Sequence, residues 1–206
     1  MEDGLQTLRN GGIMSKTQPI KNKKQLEKFR NYYRTGDYHP RNHALIVFGL
    51  NSALRIGDIL GLRWMDVYHN HRYRDHIVLC EQKTGKEKYI ALNHAAKEAL
   101  EFYRKTIDDF QEDRYIFISQ KQKEKPITRS QAFRIIRNAA IECHVEHPEH
   151  ISCHSLRKTF GYYAWKTGTP PALLMSIYNH SSYDITKRYL CIDQIEQDYV
   201  YQNLSL

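Results

Sequence analysis

The chain has 206 residues, 41% of them hydrophobic and 26% charged, enough to bury a core without disulfide or metal staples and sized for one compact domain. Lysine and arginine number 31 against 23 aspartates and glutamates, a formal net charge of +8 that points to a polyanionic partner, nucleic acid first. The longest apolar run, Ala44 to Phe48, falls far short of the roughly 18–20 residues of a membrane span; the opening residues carry acids and no apolar signal-like stretch, and the four cysteines form no C-x-x-C pair, so reduced thiols in the cytoplasm are expected.

Residues 1–20, with Gly4, Gly11, Gly12 and Pro19, show no periodicity and read as a loose leader; 21–206 read as one domain. A basic helix is expected over Lys23 to Tyr33. A second starts at Pro40, with His43, Ile46, Val47 and Leu50 at helical spacing. A short helix follows around Ile56 to Leu62. Two β-prone runs, His76 to Cys80 and Glu87 to Leu92, flank Lys83-Thr84-Gly85-Lys86 and predict a hairpin with Lys83 near its tip. Asn93 can cap a helix through about Thr106, and Tyr115 to Ile118 is a candidate third strand. Thr128 caps a helix whose apolar face is Ala132, Phe133, Ile136, Ala139, Ala140 and Cys143. From His154 the chain reads as short helices, broken at Gly168 to Pro171 and again near Asn179. The sum is mostly α with a small antiparallel sheet, an α+β layout.

Five separated signals carry chemistry. Arg55 lies in a largely apolar stretch, Leu50 to Leu62, where a guanidinium needs an anion or a buried partner; Asp58, three residues on, could supply one as a structural ion pair. Lys83 alone reads as a solvated turn lysine. His154 and Arg157 stand one helical turn apart, so both can reach one phosphate. His180 and Tyr189 follow, the latter one of 15 tyrosines, most of which should be core or interface aromatics.

Order and spacing bind these signals together. Arg55-Ile-Gly-Asp58 running into Trp64, Lys83 in a Lys-Thr-Gly turn, His154-Ser-Leu-Arg157, Tyr178-Asn-His180-Ser-Ser182 and Ile185-Thr-Lys-Arg-Tyr189 resemble the tyrosine recombinase, or phage integrase, family across roughly residues 20 to 203. The intervals of 23 residues from Arg157 to His180 and 9 from His180 to Tyr189 are similar to that family's. The resemblance implies an integrase-like catalytic domain and a site-specific DNA recombinase. Such an enzyme cuts and rejoins strands through a 3′-phosphotyrosyl link, with integration, excision or inversion as the outcome. It assigns Arg55 and Arg157 to the transition-state charge, Tyr189 to the nucleophile, His154 to the base, Lys83 to the general acid and His180 to a phosphate contact, with Asp58 holding the helix of Arg55. Neither cofactor nor metal is implied. The physical needs agree: a pentavalent phosphate calls for always-charged bidentate donors, and a phenol of pKa near ~10 calls for a cationic pocket or a base. The sequence departs from the pattern at Asn179, where glycine is common, at Asp58, where glutamate is, and at Lys158, where a second histidine often stands.

Only 54 residues precede Arg55, so a separate core-binding domain is expected to be absent, as in minimal invertase-type members of the family, and 21–206 to be the catalytic domain. The expected partner is double-stranded DNA, bound by a tetramer on two synapsed sites, with accessory DNA-binding proteins conceivable. Lys121, Lys123, Lys125, Arg129, Arg134 and Arg137 are candidate backbone contacts. Ile195, Tyr199, Val200 and Leu204 recur at helical spacing and could pack on their own domain or on a neighbouring subunit. A competing zinc reading of Cys143, His144, His147, His150, Cys153 and His154 matches no two-knuckle spacing, and a solvated connector is preferred. Two other functions fit the same domain: a type IB topoisomerase-like nicking and sealing activity with similar active-site residues, and a non-catalytic DNA-binding regulator, which a lost catalytic group would mark.

Overall fold

A computed structural model describes residues 17–83, 85–192, 198 and 201–203. Helix α1, Lys23–Asn31, begins where the Asn22 side chain accepts from the Lys24 and Gln25 amides, and runs on into a single π turn, Tyr32–Gly36. Helix α2, Pro40–Ser52, uses Pro40 in its first turn and is buried almost all round, as a central helix must be. It packs against α5, His94–Arg104, on one side and α7, Cys153–Lys166, on the other. The contact with α7 is close at Gly49, where a Cβ would stand 2.5 Å from Leu156 Cδ1.

Between α2 and α5 come α3, Ile56–Gly61, a one-turn α4, Trp64–Val67, and two separate antiparallel pairs. Strands β1, Tyr68–His69, and β2, Arg72–Tyr73, are joined by Asn70 and His71, both left-handed (φ 49° and 61°), the geometry of a tight hairpin turn. Strands β3, His76–Cys80, and β4, Glu87–Ala91, pair from His76 opposite Ala91 to Cys80 opposite Glu87, the hairpin expected around Lys83. Helix α6, Arg129–Glu142, opens with a reciprocal Thr128–Gln131 cap. Helices α8, Pro171–Tyr178, and α9, Tyr183–Leu190, complete a mostly helical α+β fold.

Three expectations need correction. Tyr115 to Ile118 makes no strand: it holds one bridge at each end, Arg63 with Tyr115 and Ile118 with Pro126. Ile116 and Phe117 between them are both fully buried, so the segment is threaded through the core rather than laid on one face of a sheet. Phe133 is not on the buried face of α6; it is 38% exposed. The helix expected after Asn93 runs to Arg104, and the Thr106 amide bonds the Tyr103 carbonyl in its closing turn. Residues 17–20 are not loose: Ile20 is 2% exposed in the core of α1, α2, α6 and α7, its amide donates to Thr159 Oγ1 at 2.9 Å, and the Gln18 amide donates to the His150 carbonyl. An aliphatic side chain with a hydrophobic slot decides this, and a single isoleucine gives no periodicity to read. Residues 1–16, and Ile195, Tyr199, Val200 and Leu204, lie outside what the structure describes. Among the described residues all four cysteines are free thiols, and no helix is long and apolar enough to cross a membrane.

Candidate active site

Helix α2 ends at Ser52 because Ala53 takes a left-handed conformation (φ 52°), an expensive one for alanine. The turn aims the Ala53 carbonyl at Arg157, whose Nη1 donates to it, and delivers Arg55 as the residue capping α3. The expected Arg55–Asp58 ion pair does not form. Arg55 is extended (φ −74°, ψ 147°) and stands outside the helix, so the i,i+3 relation does not apply. Its partner is Glu81, Nη1 to Oε1 at 2.8 Å, a charge contact off the angle of a hydrogen bond. Asp58, buried, instead accepts from the Gln82 amide at 2.9 Å and so ties α3 to the base of the β3–β4 turn; its Oδ2 has no hydrogen-bond partner among the described residues.

Lys83 sits in that turn, exposed, with Gly85 at φ 66° closing it and the Gly85 amide donating to the Glu81 carbonyl. The other walls come from the C-terminal helices. Ser152 and Ser155 cap each other's backbone and start α7, which places His154 in the first turn and Arg157 one turn later. Arg157 is 3% exposed, stacks its guanidinium 4.6 Å from the Tyr178 ring centroid, and is backed by the Tyr178 hydroxyl donating to its carbonyl at 2.7 Å. Asn179 ends α8 in the left-handed region (φ 55°), and the His180 amide closes the turn on the Met175 carbonyl. Asparagine tolerates this left-handed conformation better than most residues other than glycine. Ser182 caps α9, which carries Tyr189 near its C-terminus.

Tyr189 and His180 pack together beside Arg157 and Arg55, and His154 lies within charge range of both arginines and of Lys83. The charges of Arg157 and Arg55 both act on the Tyr189 phenol. The rings of Tyr189 and His180 are 5.3 Å apart, edge to face, and His180 Nδ1 is engaged by Thr186 Oγ1 at 3.0 Å, leaving Nε2 for a ligand. Burial pushes the Tyr189 phenol up, against the pull of Arg157 and Arg55. Burial also lowers His154, helped by Arg157, Lys158, Arg55 and Lys83, and lowers His180, helped by Arg157 and Arg55. Both imidazoles are thereby biased toward their neutral forms. Lys158, where the family often has histidine, lies under the Tyr189 ring at 5.1 Å and donates to the Thr17 carbonyl at 2.7 Å.

Sequence reading missed Glu81 and Lys88. The carboxylate of Glu81 is wholly buried, and Lys88, from β4, lies 3.2 Å from it with burial, then Arg157, lowering its pKa. An acid and a lysine beside a polar turn carry no signal of burial. Of the basic residues expected at DNA, Arg129 lies beside the site, Nη2 to Gln82 Oε1 at 3.3 Å, while Arg137 is turned onto the Pro148 carbonyl. In the histidine-rich connector, His147, Glu149 and His150 bring ligand atoms within 4.8 Å of one another; Cys143, Cys153 and His154 are not of that group.

Residues 21–194 match the phage integrase family. A probable integrase/recombinase, YoeC of Bacillus subtilis, is 40% identical over 177 residues, 86% of this chain and 91% of its own length. The tyrosine recombinase XerD of Halalkalibacterium halodurans is 21% identical over 165 residues, and the chain spans about half of it, 52%. In structure, the site-specific recombinase XerH bound to palindromic difH substrate superposes with a TM-score of 0.68 at 18% identity, over 95% of this chain and 55% of that one. With that match to most of its length, the chain belongs to the phage integrase family and is a tyrosine recombinase catalytic domain.

Proposed function

We propose that this recombinase cuts and rejoins double-stranded DNA at specific sites, with Tyr189 as the nucleophile. The observation that carries the reading is the packing of the Tyr189 ring against that of His180, 5.3 Å between centroids, where the charges of Arg157 and Arg55 act on the phenol and on the neighbouring His154. Tyr189 Oη attacks the scissile phosphorus, and its proton passes to His154. The bond from phosphorus to the 5′ oxygen breaks, and Lys83, exposed on its turn, protonates the leaving oxygen. Arg55 and Arg157 take the added charge of the pentavalent state; removing one such donor typically costs about 10²–10³ in rate. His180 offers Nε2 to the same phosphate, and Asp58 holds the hairpin base to α3. A phosphotyrosyl ester keeps the energy of the bond it replaced, so attack by another strand's 5′-hydroxyl reverses the step without a nucleotide.

The net charge of +8, with Arg129 beside the pocket and Lys121, Lys123 and Lys125 exposed, supports duplex DNA as partner. Four copies on two synapsed sites in the cytoplasm complete the proposal, integration, excision and inversion being alternative geometries of one exchange.

The test is covalent trapping with nicked suicide duplexes taken from the DNA flanking the gene. Wild type should give an SDS-stable adduct; Tyr189→Phe should give none, with DNA binding retained. Adduct formation by Tyr189→Phe would overturn the assignment of the nucleophile.

A further inference from the structure

A carboxylate that the reaction does not consume lies within the cationic pocket. Glu81 is 1% exposed, and each of its oxygens is engaged. Oε1 stands 2.8 Å from Arg55 Nη1 and 3.2 Å from Lys88 Nζ; Oε2 accepts from Asn179 Nδ2 at 3.1 Å. Lys88 in turn donates to the Ile177 carbonyl at 2.6 Å, in the last turn of α8. One buried group thus joins the residue that opens α3, strand β4 of the hairpin, and the turn that delivers His180. Lys83 is two residues further along the chain.

A carboxylate among arginines invites another explanation, that it fills the phosphate's place until DNA arrives. The geometry opposes this. The Glu81 side chain is wholly buried while that of Arg55 is 22% exposed, so the guanidinium keeps a solvent-facing side that the carboxylate does not cover. The Glu81 backbone is also fixed on both sides, its amide donating to the Lys86 carbonyl and its carbonyl accepting from the Gly85 amide, each at 2.9 Å. An anion held from its side chain and its backbone is a fixture of the site. Its charge also offsets part of the repulsion among Arg55, Lys88 and Arg157, which would otherwise spread the pocket apart before a phosphate is present to unite it.

We propose that Glu81 is a positioning residue for strand cleavage: its carboxylate holds Arg55, Lys88 and the Asn179 turn in one cluster at the scissile phosphate. The inference rests on the recombinase reading above. A misplacement of about 1 Å at such a site can cost about 100-fold in rate, whereas the affinity for duplex, spread over many phosphates, should hardly change.

Single-turnover cleavage of a nicked suicide duplex at saturating protein separates these quantities, with binding measured on the same duplex. Wild type and Tyr189→Phe serve as controls; if wild type forms no adduct, it is the recombinase reading that fails. Given an active wild type, Glu81→Gln should cleave about 30-fold slower or less, with affinity within about threefold. Adding Lys88→Met should cost no more than about a further threefold, because both substitutions break one cluster and their effects are not additive. Cleavage by Glu81→Gln within threefold of wild type overturns the proposal, as does a loss of affinity matching the loss of rate, or additivity with Lys88→Met. Should Glu81→Gln not fold, Asn179→Gly carries the test, since glycine keeps the left-handed turn and removes only the amide donor. Cleavage about fivefold slower at unchanged affinity supports the cluster, and an unchanged rate overturns it.

Discussion

At the scale of single residues, the proposed nucleophile and the proposed base are tuned in opposite directions by the same burial. Burial destabilises a phenolate and so raises Tyr189, while it destabilises an imidazolium and so lowers His154. The two guanidiniums offset the first effect and add to the second. The phenol is therefore protonated near neutral pH and needs an acceptor, and His154 is neutral there and can be one. Cleavage at limiting DNA reports the free enzyme. Its rate should rise with pH along an acidic limb whose midpoint lies below the ordinary histidine value of about 6.5. His154→Gln should lower the plateau and remove that limb. A midpoint above about 6.5, or a limb that survives the substitution, would transfer the base role to another group.

At the scale of elements, the site depends on how closely α7, α8 and α9 approach. Gly161 is the point of contact: a Cβ there would meet the Tyr178 hydroxyl and stand 2.5 Å from Leu190 Cδ2. Tyr178 is fully buried and its hydroxyl bonds the Arg157 carbonyl, so it cannot swing aside cheaply. Gly161→Ala should cost about 1–3 kcal/mol, lowering the melting temperature by roughly 2–4 °C per kcal/mol for a chain of this size. It should also slow cleavage, because α9 carries Tyr189. A melting temperature within a degree of wild type would show that the helices can part without penalty. Most elements were legible because their ends are chemically marked: Pro40 opens α2, Asn93 and Thr128 cap α5 and α6, and Gly85 closes the hairpin turn. The chemistry of the site was legible as an ordered set of residue types, and its internal wiring was not. Arg55 and Asp58 have helical spacing, yet Arg55 is left outside α3 by the left-handed Ala53, and its ion partner comes from a hairpin 26 residues on. Tyr115 to Ile118 has the composition of a strand, but what it pairs with on either side is decided by tertiary contacts.

At the scale of the whole molecule, a basic chain that holds imidazoles toward their neutral form, His43 in its core among them, should weaken in mild acid. His43, His154 and His180 are all lowered, burial being the largest cause for each, and His43 is 3% exposed in α2 with Nδ1 on the Arg30 carbonyl. A histidine whose folded pKa is depressed binds fewer protons folded than unfolded at any pH between the two values. Stability therefore rises with pH across that interval, and is lost as pH falls from about 6.5 through the folded values. The urea midpoint should accordingly drop between pH 7 and pH 5, above the range in which carboxylates titrate. His43→Gln should reduce the drop, since this histidine lies outside the catalytic cluster and acts on folding alone. DNA should reduce it by a separate route. A scissile phosphate should raise the pKa of His154 and His180 in the complex, and by linkage a duplex should then bind more tightly and protect the fold more at pH 5.5 than at pH 7.5, measured at equal free duplex concentration. His43 is not opposed by that phosphate, so DNA and His43→Gln should relieve acid sensitivity additively. A midpoint that rises on acidification, or a duplex whose protection is independent of pH, would mean that the charge of the site is not coupled to the fold in this way.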